Sequence, residues 1–346
     1  MQNPDYFNYS NNLNQLQQAY NQHLYLQHKR KVERNELIRT GLIIGATILS
    51  SFIIMSAVLA VIMVVYREKF NDLYSNSALF QSSLNIIVVD VFSLMLPFTV
   101  MSLILKRRYT TELVPRKKIG KMPAFAWVCV GMGCCVLANF ITAGVIALFK
   151  EAGYKLNQPE LASPSNVLEC VAAVFATAIA PALFEEYAMR CCTLGALRKY
   201  GKGFAVFTVS IVFGLIHSNV IQFVFAFLLG LVFGYITVLT DNIVPAILIH
   251  ALNNGMSVTS DIIKFAAGTK FADYTGTALY IVWSVLAIWG LVYLLRNKLL
   301  LPPKKGANVI NPYSLSFGTK LLCLLPGFII PFALLIYFTS TTVVPI

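Results

Sequence analysis

Three short motifs in an apolar chain carry groups suited to acid–base chemistry. They are Phe184-Glu185-Glu186-Tyr187-Ala188-Met189-Arg190, then Phe213-Gly214-Leu215-Ile216-His217, then His250-Ala251-Leu252-Asn253-Asn254. A carboxylate beside a neutral imidazole can hold a water molecule and deprotonate it. Burial raises the proton affinity of a carboxyl group, so the ionised form is a stronger base. A second imidazole and an amide can donate hydrogen bonds to an oxyanion as it develops. Alternatively, Glu185, His217 and His250 can hold a zinc ion and leave one position open for water. Both schemes end in hydrolysis of an acyl bond.

Spacing indicates which groups meet. Glu186 and Arg190 are four apart, so on a helix they share a face and neutralise each other. Glu185 lies about 100° further round and is free to face a cavity. Pro181 removes a backbone donor just before the acids and is expected to bend the helix. His250 and Asn254 again project from one face. Each motif also has a plain structural reading. Glu186 and Arg190 can be an ion pair that only fixes geometry, and a lone membrane histidine is commonly a packing residue. The motifs together, within about seventy residues, favour chemistry. Asp90, in Ile86-Ile87-Val88-Val89-Asp90, has no visible partner and stays structural or unassigned. Glu169, Asp261 and Lys264 fall near span ends, within reach of water.

The elements that must position these groups are membrane helices. Of the 346 residues, 57% are apolar and 12% charged, a composition that a soluble chain would expose and aggregate through. Runs long enough to cross the hydrocarbon layer lie near 37–66, 84–105, 123–149, 166–197, 203–218, 221–240, 244–266, 275–295 and 319–341. The expected fold is therefore an all-α polytopic transmembrane bundle of about nine spans, eight to ten, around a membrane-embedded cavity. The net charge of +12 does not indicate nucleic acid, because the basic residues cluster between apolar runs. These clusters are Lys29 to Arg34, Lys106 to Lys121, Arg198 to Lys202 and Arg296 to Lys305. Their alternation places the N-terminus in the cytoplasm.

Residues 1–35, rich in Asn, Gln and Tyr, read as a disordered cytoplasmic tail with no cleavable signal sequence. Residues 36–346 form the bundle, with the catalytic core at 166–256. The seven cysteines all fall in apolar stretches without a Cys-x-x-Cys pair, so neither a disulfide framework nor a thiolate metal site is indicated. Phe223, Phe225, Phe227 and Phe233 read as packing or lipid-facing residues, and Gly230 and Gly234 as points of close helix contact. At ~1.5 Å rise per residue, Glu185 and His217 each lie roughly 20 Å from the basic turn between their helices, which brings them level. His250 lies only about 10 Å from its own turn.

Glu-Glu-x-x-x-Arg, Phe-x-x-x-His and His-x-x-x-Asn, in that order on successive membrane helices, resemble the CPBP family. This family comprises the CAAX prenyl proteases and bacteriocin-processing enzymes, also called ABI, and includes the Ras-converting endopeptidase. The resemblance covers residues about 166 to 256. It implies Glu185 as general base with His217 as partner on the water, and His250 and Asn254 as the oxyanion-stabilising pair. Glu186 and Arg190 would support the site, Arg190 also meeting a substrate carboxylate. The family is filed under metalloproteases, and a metal-free glutamate mechanism is argued for it too. The choice between no cofactor and a divalent metal such as zinc stays open. Without a thiolate or a His-Glu-x-x-His helix, a slight preference goes to the metal-free scheme. The partners implied are a peptide or protein substrate at the membrane, prenylated or unmodified, and the lipid bilayer. The implied location is a bacterial plasma membrane, with the aqueous face of the cavity cytoplasmic. Two other readings compete: a non-catalytic immunity factor or scaffold of the same fold, and a proton-coupled transporter using the same acids.

Overall fold

The computed structural model describes residues 4–106, 118–158, 162–300 and 314–346, with side chains from residue 15 onward. The basic clusters near 107–117 and 301–305 lie outside the described residues. The described residues form helices α1 Pro4–Tyr66, α2 Lys69–Asn76, α3 Ala78–Ile104, α4 Lys121–Glu151 and α5 Val167–Tyr200. They continue with α6 Lys202–Leu215, α7 Val220–Thr240, α8 Val244–Ala267, α9 Thr269–Arg296 and α10 Phe317–Ser340. Strands β1 Tyr154–Leu156 and β2 Val343–Pro345 pair antiparallel. The chain is thus an all-α polytopic bundle with a two-stranded ribbon at one end.

Every expected span is a helix, but not every one qualifies as a membrane crossing. Seven of the described helices are long and apolar enough to cross. The two of the expected nine that fall short are α6, with 14 residues, and α8, which carries His250, Asn253, Asn254, Asp261 and Lys264. These are the helices that deliver the histidines, and their polarity or brevity follows from lining a site rather than facing lipid.

The N-terminal segment corrects an expectation. Residues read as a disordered tail continue α1 as one helix of 63 residues. Pro4 occupies the first helical turn, where a missing N–H costs nothing, and Leu, Gln and Ala follow with good helix propensity. Nearly all of residues 15–36 are exposed, so composition signalled a polar helix without partners rather than an unstructured chain. Burial in the core begins at Leu37, with Ile44 and Ile48 also enclosed.

The bundle has two distinct ends. At the basic end, Lys199 pairs with Glu36 at 2.8 Å, Arg198 with Asp241 at 3.2 Å, and Lys320 donates to the Tyr200 carbonyl. At the other end, β1 meets β2, and the Asn219 amide donates to the Asn157 carbonyl at 2.6 Å. α1 and α10 run parallel between the ends: Glu33 meets Leu315, Gly45 lies against Gly327 and Phe52 stacks on Phe338. A first and a last helix running parallel are what an odd number of crossings produces. Gly230 and Gly234 fit close contact as expected, since a Cβ at Gly230 would sit 2.9 Å from the Ser210 backbone and one at Gly234 3.0 Å from Val206.

Candidate active site

Local backbone geometry shapes the site helices. In α5, the turns Phe175–Ile179 widen into a π-helix immediately before Pro181. The widening accommodates the proline ring, which would otherwise clash with the carbonyl four residues earlier. Pro181 has no N–H to offer the Thr177 carbonyl. Asn254 of α8 supplies the missing donor, its Nδ2 lying 3.0 Å from that oxygen. The amide oxygen of Asn254 accepts from Asn253 Nδ2 at 3.2 Å. α3 repeats the pattern, with a π-helix at Asn85–Met95 followed by Pro97. A third π segment, Tyr187–Leu194, carries Arg190, and there Thr193 Oγ1 donates to the Ala188 carbonyl at 2.8 Å.

Glu186 and Arg190 meet inside the bundle. Arg190 Nε lies 3.1 Å from Glu186 Oε2, with both side chains fully buried. The approach is that of opposite charges rather than of an aligned hydrogen bond, and Arg190 Nη1 and Nη2 have no hydrogen-bond partner. The guanidinium instead lies over two aromatic rings, 4.7 Å from Phe213 and 5.4 Å from Phe233. Cation–π attraction of this kind strengthens when water is excluded. Phe233 therefore walls the site rather than meeting lipid. A lone Phe in a Phe-rich helix offered no signal for that.

His250 joins the pair to the second acid. Its Nδ1 is 3.0 Å from Glu186 Oε1, while Nε2 faces Glu185 Oε2 at 3.7 Å. The ring packs on Phe213 and Phe233, with centroids 6.2 Å and 5.7 Å away. Glu186 and His250 are buried, and Glu185 keeps 16% of its side chain exposed. The acid next to the closed cluster is thus the one left partly accessible, in keeping with the 100° offset between neighbours on a helix.

His217 stands just past the end of α6. Its Nδ1 is 2.7 Å from the Phe213 carbonyl, so the ring donates there and Nε2 carries the lone pair. Phe213 also touches it edge-on at 5.1 Å, so one ring separates the two histidines. Among the described residues no hydrogen bond or ion pair links His217 to Glu185. Ser218 follows with a φ of 52°, a left-handed conformation that a non-glycine residue adopts at a cost. The chain turns there, and Asn219 caps α7 by accepting from the Ile221 and Gln222 amides.

The structure therefore gathers Glu185, Glu186, Arg190 and His250 directly, holds His217 through Phe213, and commits one Asn254 N–H to Thr177. Asp90, which the sequence left without a partner, is buried, and its stretch of α3 packs against Ala180–Glu186 of α5. Nothing in the spacing reveals that packing, because it joins two helices far apart in the chain.

A zinc centre would need Glu185, His217 and His250 aimed at one point. Among the described residues no group of three His, Cys, Asp or Glu side chains is placed to hold a metal ion. Both His250 nitrogens face carboxylates, and His217 Nδ1 is occupied by a carbonyl. As placed, these donors do not make a metal centre.

Comparison with known proteins agrees with the motifs. Residues 167–256 match the family described as type II CAAX prenyl endopeptidase Rce1-like. The matched stretch contains all three motifs and runs from the start of α5 into α8. No curated protein and no solved structure matches the chain. Over residues 167–256, then, the chain is similar to the CAAX proteases of the Rce1-like type.

Proposed function

We propose that this protein is an intramembrane endopeptidase in which Glu185 activates water for attack on a peptide carbonyl. The observation that carries the reading is the contrast between the two neighbouring acids. Glu186 is sealed in with Arg190 and His250, whereas Glu185 keeps one side open and has only the 3.7 Å approach of His250 Nε2. An acid held in place but free to bind water is what a general base requires.

His217 complements it. With Nδ1–H spent on the Phe213 carbonyl, Nε2 can accept a hydrogen bond from the same water. As the water oxygen bonds to the substrate carbon, its proton passes to Glu185. The oxyanion takes hydrogen bonds from His250 and from the second Asn254 N–H. The carbon–nitrogen bond then breaks, and the proton moves from Glu185 to the leaving amine. Arg190, enclosed by Phe213 and Phe233, holds Glu186 in charge balance and so keeps His250 oriented. Its full enclosure favours this supporting role over contact with a substrate carboxylate.

The substrate class in this reading is a peptide presented at the bilayer, of CAAX type with a prenylated cysteine. The basic end of the bundle faces the cytoplasm. In a cleavage assay on the purified protein in lipid nanodiscs, Glu185→Gln and His217→Ala abolish hydrolysis of a farnesylated CAAX peptide while insertion and purification stay normal. Retained hydrolysis in either variant overturns the assignment. Equal hydrolysis of farnesylated and unmodified peptides overturns the substrate class alone.

A further inference from the structure

His217 owes little of its placement to the helix that precedes it. α6 ends at Leu215, and the His217 amide reaches back to the Gly214 carbonyl at a long 3.3 Å. The ring is bonded to the Phe213 carbonyl, which fixes it relative to α6 but not relative to α5 or α8. Ser218 follows with its φ of 52°, and its Oγ is buried without a hydrogen-bond partner among the described residues. That side chain therefore does nothing to offset the strained backbone. Just beyond the corner, α6 and α7 come into close contact: a Cβ at Gly214 would stand 2.8 Å from the Phe223 ring and 2.9 Å from the Phe223 carbonyl. The two helices thus make one hairpin with His217 at its tip, and the tip is held from outside at Asn219.

Asn219 is 3% exposed and uses both ends of its amide. Oδ1 accepts from the Ile221 and Gln222 amides at 2.9 Å and 3.2 Å, capping α7. Nδ2 donates to the Asn157 carbonyl at 2.6 Å, a bond between positions 62 residues apart. Asn157 is itself stitched to β2. Its amide donates to the Thr342 carbonyl at 2.8 Å, Leu156 and Lys155 pair with Val343 and Val344, and the Ile346 amide donates to the Gly153 carbonyl at 2.9 Å. A helix cap needs only an acceptor, which serine or threonine also supplies, so the donor half of Asn219 is surplus to capping. We propose that Asn219 is a positioning residue for the reaction, tethering the His217 corner to the β1–β2 ribbon so that Nε2 of His217 keeps its place on the attacking water. This rests on the reading of His217 as the partner of Glu185 on that water.

Asn219→Ser separates the two halves of the amide. Serine caps a helix about as well as asparagine, but it has no second arm to reach Asn157. Asn157 is exposed, so its carbonyl takes water instead and the melting temperature changes little. kcat falls roughly tenfold, the size of one hydrogen bond's worth of placement in the transition state. KM is unchanged, because the water and not the peptide is misplaced. Val344→Pro cuts the same tether from its other side: proline offers no N–H to the ladder opposite Lys155, which frees Asn157 and leaves Asn219 intact. The double variant is no slower than the slower single one, since two cuts in one tether remove it once.

Two measurements test this on the intact chain in nanodiscs: cleavage kinetics on a farnesylated CAAX peptide, and amide hydrogen exchange. The expected result is the loss of kcat at constant KM in both single variants, with no further loss in the double. Exchange at the His217 and Ser218 amides is expected to become roughly tenfold faster in each, while the capped Ile221 and Gln222 amides stay as protected as before in Asn219→Ser. Wild-type kcat together with wild-type exchange in Asn219→Ser overturns the proposal and leaves Asn219 a cap alone. Losses that multiply in the double variant overturn the shared tether. Should the wild-type protein cleave no peptide, the endopeptidase reading fails, and the exchange rates still decide whether the ribbon restrains the corner through Asn219.

Discussion

Asn254→Ala makes a sharp test, because the structure assigns its amide a partner that exists only through a proline. Pro181 leaves the Thr177 carbonyl without its helical donor, and Asn254 Nδ2 fills that role at 3.0 Å. Removing the side chain strands a carbonyl in a half-buried, apolar setting, at a cost of about 1–3 kcal/mol. For a chain of this size that corresponds to a fall of several degrees in Tm, roughly 2–4 °C per kcal/mol. Melting in detergent can be followed with a thiol-reactive fluorophore, since Cys129, Cys135, Cys191, Cys192 and Cys323 are all buried until the bundle opens. In a Pro181→Ala background the restored N–H serves the same carbonyl, so the further loss on Asn254→Ala is less than half as large. Such a cycle isolates the coupling between the two positions. Equal losses in both backgrounds refute the account of why Asn254 sits there. Activity separates the second role of the amide. If its other N–H serves the oxyanion, the double variant regains stability yet stays about 10²-fold slow, the usual cost of one such donor.

Arg190→Met leaves Glu186 buried beside His250 without its counter-charge, and is expected to destabilise by about 3–5 kcal/mol. Adding Glu186→Gln recovers much of that loss in the same melting assay, and no recovery refutes the charge-balance role. Gly327→Ala is expected to lower Tm and separate α1 from α10, because its Cβ would collide with the Gly41 carbonyl. A cysteine pair placed across that crossing reports the separation as lost cross-linking, and unchanged cross-linking contradicts it.

What the sequence revealed and what it hid divide along physical lines. Apolar run length located the helices, because a bilayer imposes a length that no local detail overrides. The glutamate pair, both histidines and the asparagine were visible because charged and polar groups are expensive in such runs. Residues 15–36 misled because a polar helix and a disordered tail share a composition. Phe233 and Asp90 were hidden for a different reason. A phenylalanine gains its meaning from the guanidinium it lies under, and a buried acid from the helices packed around it, and neither leaves a periodicity in its own segment.

The same contrast explains why the acids sit where they do. In α3 the widened turns contain Asp90 and precede Pro97; in α5 they precede Pro181 and place Glu185 a turn later. A π-turn shifts the facing of every residue beyond it and leaves carbonyls short of donors, an arrangement that lipid does not tolerate but a polar cavity does. The proline-bearing helices must therefore turn their widened segments toward each other and toward α8, where Asn254 supplies a donor. On this argument the prolines are part of the site's construction, and a straightened α5 would carry Glu185 away from His250.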